Sequence, residues 1–213
     1  MKRWSDWFFP VPAAAAVAAA CIASMPAQAA SVMDEWASVK LPPAPALKPV
    51  TVDPKTTALL MLDFMNQNCG KRPRCVATVP AVKKLLTEAR AKKMAVVYTF
   101  IAKTTAADVI KDVAPVAGEP SVLSGPDKFL RTDLEKILKD KGIQTVIAVG
   151  TSSNGAVLYT GSAAALRGMK VIVPVDGMSS QDALTDATTV LVMTTAPRVS
   201  AGVTLTKLNM IKF

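Results

Sequence analysis

The chain has 213 residues, of which 51% are apolar and 19% charged, and its 25 Lys and Arg residues outnumber 16 Asp and Glu residues. It contains three Cys and no His. The lack of His excludes Ser-His-Asp triads, Cys-His dyads and His-ligated zinc or iron sites, and three Cys cannot complete a structural zinc site alone. Any catalysis therefore rests on carboxylates, Lys, hydroxyls, Cys or backbone dipoles, and we expect neither a metal nor a cofactor.

Residues 1–29 have the pattern of an export signal. Lys2 and Arg3 precede an apolar run rich in Ala, and residues 27–29 (Ala-Gln-Ala) fit a signal peptidase site. We therefore expect a cleaved signal and a periplasmic or secreted protein with no integral membrane span.

Two alternatives concern the same segment. A transmembrane anchor is disfavoured because Pro10 and Pro12 interrupt the apolar run, which is shorter than the roughly 20 residues that a span needs. Lipidation at Cys21 is disfavoured because only small residues directly precede it, with no large aliphatic side chain among them.

The positive charge is spread along predicted helices. Lys83, Lys84, Lys92 and Lys93 are interleaved with acidic residues, and aromatic residues make up only 5% of the chain. Nucleic-acid sites gather cations on one face and add elements that read bases. We therefore expect no nucleic-acid partner. Anionic surface polymers or lipid head groups, bound nonspecifically, or a small anionic ligand suit the charge better.

Two cysteines remain after cleavage of the signal. Cys69 and Cys75 flank a short segment with Gly and Pro, which lets the chain turn, and an oxidising compartment favours their pairing. The sequence predicts a disulfide between them. The alternative is a reactive thiol at Cys69, activated by the neighbouring cations.

The rest of the chain divides into an arm and one domain. Residues 30–55 are rich in Pro and predict an extended arm without a fold of its own, and residues 56–213 alternate apolar runs with helical patterns. This alternation predicts a three-layer, Rossmann-like α/β domain with a mainly parallel sheet. Predicted strands cover 57–62, 94–101, 145–149, 170–175 and 202–206, and predicted helices cover 80–93, 132–141, 156–167 and 181–194. Residues 103–126 are a loop-rich insertion with room for one short strand.

Two predicted strand ends carry candidate site residues. Asp63 follows an apolar strand, and ligands of open parallel sheets bind at the carboxyl ends of strands. The alternative is that Asp63 only caps loop amides. The turn after the strand 145–149 predicts a helix with Asn154 as its N-cap, so that the amides of Gly155 and Ala156 face an anion or oxyanion; an ordinary turn is the other interpretation.

Three segments in this order resemble the isochorismatase-like cysteine hydrolases: 59–67 (LLMLDFMNQ), 129–143 (from FLRTDL to GI) and 150–176. The resemblance runs from about Thr57 to about Ser180. It implies a six-stranded parallel sheet flanked by helices, a catalytic Asp, Lys and Cys, a small-molecule substrate, and often a homo-oligomer. The metal-dependent nicotinamidase branch uses His ligands, which this chain lacks.

Only part of the implied triad is present. Asp63 matches the family Asp, whereas Leu123 stands where the Lys usually lies, and Lys128 reaches the same pocket only if the loop before it takes a different path. The nucleophile position holds Ala156. The resemblance and the local pattern add accessory candidates, which are Asn66, Ser152 and Ser153.

Two functions remain open. The first is a hydrolase of a small amide, ether or acid in which Asp63 is the general acid or base, without a thiol; isochorismatase itself acts on a vinyl ether without needing the Cys. The second is a catalytically silent relative, a pseudoenzyme that binds a small anionic ligand or a partner protein.

Overall fold

The computed structural model describes residues 29–213. The chain divides into a segment ending at Pro43 and a compact unit, Ala44–Phe213. In the first, Trp36–Ser38 form one 3-10 turn. The predicted export signal lies outside the described residues except for Ala29.

One seven-stranded sheet organises the compact unit. The strands of the unit are β1 (Val50–Thr51), β2 (Thr57–Leu62), β3 (Ala95–Phe100), β4 (Ser121–Leu123), β5 (Thr145–Thr151), β6 (Lys170–Pro174), β7 (Met178–Ser179), β8 (Val203–Thr206) and β9 (Ile211–Lys212). The main row of the sheet has the order β4-β3-β2-β5-β6-β8, and β7 pairs with the end of β5; all pairings are parallel. The fold class is thus confirmed, with a short seventh strand beside the six that the family resemblance implies.

Helices cover both faces of this sheet. The helices are α1 (Pro73–Ala91), α2 (Leu134–Asp140), α3 (Leu158–Leu166) and α4 (Ala183–Thr195). Side chains of β2 alternate between two hydrophobic clusters: Leu59 and Met61 pack with α1 on one face, and Leu60 and Leu62 pack with α2, α3 and α4 on the other, the α2–α4 side. This explains why β2 is apolar at every position, since a strand buried on both faces has no solvated side.

The first helix is longer than predicted. It begins at Pro73, not Pro80, because Pro73 occupies the first turn, where no amide is needed, and the helix continues through Pro80. The helix predicted from Thr132 begins at Leu134, and Glu135 in its first turn pairs with Lys139 and Arg167.

The end of the predicted arm is part of the compact unit. Val50 and Thr51 form β1, which pairs with β9, and the amide of Lys48 donates to the carbonyl of Leu205 at 2.9 Å. Val52 is buried in the core. The sequence shows too short an apolar pattern here to reveal a strand, because its pairing partner lies at the far end of the chain. Among residues 29–213, no helix has the length and apolar character needed to cross a bilayer.

Candidate active site

Asp63 lies where β2 ends, at the carboxyl edge of the sheet. Its backbone has φ of +57°, a left-handed conformation that Asp tolerates better than most residues, and this turns the chain out of the strand. Its side chain is buried. Thr99, from the neighbouring β3, donates to Asp63 Oδ1 at 2.7 Å and accepts the Asp63 amide at 3.2 Å. The strand pairing thus fixes the carboxyl group in place.

Lys128 forms a buried ion pair with Asp63. Its side chain has no exposed surface, and Lys128 Nζ donates to Asp63 Oδ2 at 2.7 Å. Because both groups are removed from water, each depends on the other for its charge to be tolerated. The structure therefore brings together the two residues that the sequence analysis named as catalytic candidates.

The loop before Lys128 takes the path that this contact requires. Leu123, at the end of β4, points to solvent with 55% of its surface exposed, and the chain then turns through 124–127. The carbonyl of Pro126 accepts from Thr160 of α3, and the Lys128 amide donates to the same hydroxyl at 3.3 Å. Phe129 is buried on the α2–α4 side, beneath the guanidinium of Arg167. These anchors on both sides direct Lys128 inward.

Burial raises the pKa of Asp63 above its ordinary value, against the opposing effects of the Lys128 ammonium, the Thr99 hydroxyl and the Arg72 guanidinium. Removing a carboxylate from water disfavours its charged form. Asp63 therefore holds a proton at a higher pH than an exposed Asp does. This property suits a general acid, which must be protonated to act.

The turn after β5 differs from the prediction. The peptide bond between Thr151 and Ser152 is cis, and a π-helical turn, Ser153–Val157, begins with Ser152 as its N-cap. Asn154 is exposed and is not the N-cap, because the π-helical turn begins before it, directly after β5 ends at Thr151. The amides of Gly155 and Val157 donate to the Ser152 carbonyl, so this part of the predicted anion site is occupied.

Ala156, at the expected nucleophile position, is 3% exposed. Its methyl group is part of the hydrophobic cluster on the α2–α4 side of the sheet. An anion-binding role for Asn154 and Ala156 remains a prediction.

The other accessory candidates make structural contacts. Ser153 Oγ is buried and donates to Asp186 Oδ1 of α4 at 2.7 Å, which joins the π-helical turn to that helix. Ser152 is half-buried. Asn66 is exposed, and its backbone N–H donates to the carbonyl of Asp108. Asn68, two residues on, contacts Asp63, with Nδ2 3.4 Å from the Asp63 carbonyl oxygen.

The predicted disulfide is present between Cys69 and Cys75, both of which are buried. It closes the loop that leads from the Asp63 region into α1. Arg72, inside this loop, donates from Nη1 to Thr151 Oγ1 at the end of β5, at 3.0 Å. The sequence pattern predicts no site role for Thr99, Asn68 or Arg72. The concentration of cations between the two cysteines was the available signal for Arg72.

The described part of the chain contains no group of three or more Cys, Asp or Glu side chains arranged to hold a metal ion.

Comparisons with known proteins agree with this architecture. The family model described as isochorismatase domain matches residues 57–206. A cysteine hydrolase from Pseudomonas syringae is similar at a TM-score of 0.66 and 21% identity, covering 79% of this chain and 95% of that one. For N-carbamoylsarcosine amidase from Thermoplasma acidophilum the values are 0.63, 22%, 72% and 97%. For a nicotinamidase from Staphylococcus aureus they are 0.62, 18%, 72% and 99%.

A comparison with curated proteins gave no match. At these identities the solved structures establish the fold, and the matched domain, which spans β2 to β8, establishes the family. The chain belongs to the isochorismatase family.

Proposed function

We propose that this chain is an exported hydrolase of a small anionic enol ether, with Asp63 as the general acid. The observation that carries the proposal is the buried Asp63–Lys128 ion pair, 2.7 Å long, at the carboxyl edge of the sheet. A buried ion pair is often no more stabilising than an apolar pair of the same size. Its position, where ligands of open α/β sheets bind, favours a role in chemistry over a role in stability.

The reaction class follows from the groups that are present. An amide hydrolysed through an acyl-enzyme needs a nucleophile, and position 156 offers a methyl group. An enol ether needs only a proton and water. Asp63 donates its proton to the terminal carbon of the double bond, and water adds to the resulting oxocarbenium ion. The hemiketal then collapses to a carbonyl compound and an alcohol, and a proton released from the water restores Asp63.

Lys128 would act on the charge that develops at Asp63. When the carboxyl group gives up its proton, the ammonium at 2.7 Å stabilises the carboxylate that remains. Thr99 holds the second oxygen, so that the carboxyl group does not rotate between the steps. Both are supporting roles for a group that touches the substrate.

A second candidate function is binding without catalysis. Ala156 at the nucleophile position favours it, as does the complete burial of Lys128. Such a protein would bind a small anionic ligand or a partner protein and show no turnover. The hydrolysis assay of Asp63→Asn described below separates the two functions.

We expect Asp63→Asn to lower turnover of a responsive substrate by at least about a hundredfold, the lower range for loss of a general acid. The measurement is hydrolysis of a panel of carboxylate-bearing enol ethers and small amides by the oxidised full chain. Asp112→Asn is the matched control, because Asp112 is 60% exposed and, among residues 29–213, forms a salt bridge with Lys83 alone. Circular dichroism confirms that each variant is folded.

Turnover of an enol ether that Asp112→Asn retains and Asp63→Asn loses would support the hydrolase. Equal turnover by the two folded variants would contradict it. No turnover of any panel member by the unmodified chain would favour the binding protein.

A further inference from the structure

A cationic cleft lies beside the loop that follows Asp63. It has a volume of about 390 Å³. Its walls come from the loop closed by the disulfide, from the start of α1 and from the segment after β7, and they include Lys71, Arg72, Arg74, Asn68, Ser180 and Gln181.

Two contacts connect this cleft to the candidate active site. Asn68 Nδ2 lies 3.4 Å from the Asp63 carbonyl oxygen, and Arg72 Nη1 donates to Thr151 Oγ1 at 3.0 Å. Thr151 follows Gly150, the residue that pairs with Leu62 immediately before Asp63. Arg72 therefore contacts the end of β5, beside the strand end that carries Asp63.

The charges of the cleft are only partly neutralised. Arg74 is paired with Asp186 at 2.6 Å, and Asp186 also accepts from Ser153 and Ser180. Within residues 29–213, no carboxylate lies within salt-bridge distance of Lys71 or Arg72. A guanidinium has five N–H donors in a planar fork, of which the contact to Thr151 uses one. Arg72 therefore retains donors for a carboxylate, whose two oxygens match this fork.

A buried hydroxyl without a partner also indicates a ligand, independently of the cationic charge. In the described part of the chain, Ser179 Oγ is the buried side-chain oxygen or nitrogen that has no hydrogen-bond partner. Ser179 is 2% exposed and is not itself a lining residue, but it directly precedes Ser180, which lines the cleft. An unpartnered buried hydroxyl is costly, so it suggests a partner that is bound only part of the time.

The strand register places this hydroxyl on the same side as Arg72. Ser179 pairs with Thr151 between the parallel strands β7 and β5, and paired residues project to the same face of a sheet. Met178 packs into the cluster on the α2–α4 side, so by alternation Ser179 faces α1. Thr151 and Arg72 meet on that α1 face.

We propose that this cleft binds the carboxylate group of the substrate, with Arg72 and Ser179 as its hydrogen-bond donors. The inference rests on the proposed function for the identity of the ligand as a substrate. The disulfide supports this binding site, because it closes the loop that carries Arg72 toward Thr151. Arg72 and Ser179 set specificity for a charged substrate, and the proton transfer remains with Asp63.

The test measures binding without turnover, with benzoate as the carboxylate probe and benzamide as its uncharged analogue. Calorimetric titration uses the oxidised full chain and three variants: Arg72→Gln, Ser179→Ala and Arg198→Gln. Arg198 is the matched control, since it is an exposed arginine beyond the end of α4 and outside the cleft lining. Thermal unfolding is followed for each protein.

We expect benzoate to bind more tightly than benzamide. Arg72→Gln should raise the benzoate dissociation constant at least about tenfold, as loss of a charged hydrogen bond does, and Arg198→Gln should leave it unchanged. Ser179→Ala should raise it by about fivefold without lowering Tm, because the hydroxyl has no partner in the free protein.

Equal affinity for the acid and the amide would overturn the proposal, as would equal effects of Arg72→Gln and Arg198→Gln. Ser179→Ala with a lower Tm and unchanged benzoate affinity would show a structural role instead. Because the titration measures binding alone, benzoate selectivity stands even if Asp63 proves not to be catalytic. If the hydrolysis assay is also run on Arg72→Gln, turnover that depends on Asp63 but not on Arg72 would overturn the subsite alone.

Discussion

Lys128→Met is expected to lower the free energy of unfolding by about 3–5 kcal/mol at neutral pH, as removal of one partner from a buried ion pair does. The Asp63 carboxylate would remain buried with Thr99 as its remaining side-chain donor. Urea denaturation of the oxidised chain measures the effect. Lys84→Met is the matched control, since Lys84 is exposed on α1 without an ion pair among the described residues, and it should change stability by less than about 0.5 kcal/mol.

Two further measurements isolate the pair itself. In the double variant Asp63→Asn with Lys128→Met, neither residue of the pair is charged. Its loss of unfolding free energy should therefore be smaller than the sum of the two single losses by about 2 kcal/mol. The cost of Lys128→Met alone should also shrink as the pH falls, because Asp63 then becomes protonated and no longer needs a partner. Additive single costs would show that the two groups do not stabilise one another.

Gly150→Ala is expected to cost about 4 kcal/mol or more, in the range that marks a clash in the core. A Cβ at this position would lie 2.0 Å from the Leu62 carbonyl oxygen, and Gly150 has φ of +140°, which side chains rarely adopt. β2 and β5 are central strands, so neither backbone can move away without disturbing the sheet on both sides. Residue 150 is therefore small because the backbone of β2 approaches it closely, directly before Asp63.

Urea denaturation with Gly125→Ala as the control separates this clash from the general effect of replacing Gly. A Cβ at Gly125 would meet nothing within 4 Å, so the change should be within about 0.5 kcal/mol of neutral. A Gly150→Ala variant as stable as Gly125→Ala would contradict the close approach of β2 and β5.

The parts of the fold that depend on local pattern could be predicted from the sequence. β2 is apolar at every position because both of its faces are buried. The end of α3 and the start of β6 follow from the turn at Gly168. β1 and β9 were missed, because each has two residues and only their pairing makes them strands. The sequence predicts that α1 starts at Pro80, whereas it starts at Pro73, because either proline fits a first turn and only the fold decides between them.

The candidate site shows the same division. Asp63 was found because its place after a buried strand is visible in the sequence, whereas the contact of Lys128 depends on a loop path that Pro126, Thr160 and Phe129 fix together. Arg72 acts across the fold on Thr151, and Ser179 matters because a partner is missing. Such properties arise from tertiary packing and leave no local pattern.

The pH dependence of kcat/KM tests the central claim, that Asp63 acts as a general acid, most directly. Burial raises the pKa of Asp63, so the fraction of Asp63 that is protonated at a given pH is larger than for an exposed Asp, and it grows as the pH falls. With a responsive enol ether, kcat/KM should therefore rise from about pH 8 to about pH 5, since this ratio reports the essential acid of the free enzyme. Asp63→Asn should lose this rise along with the activity. A kcat/KM that stays level or falls over the same interval, or an acid limb that persists in Asp63→Asn, would contradict the account.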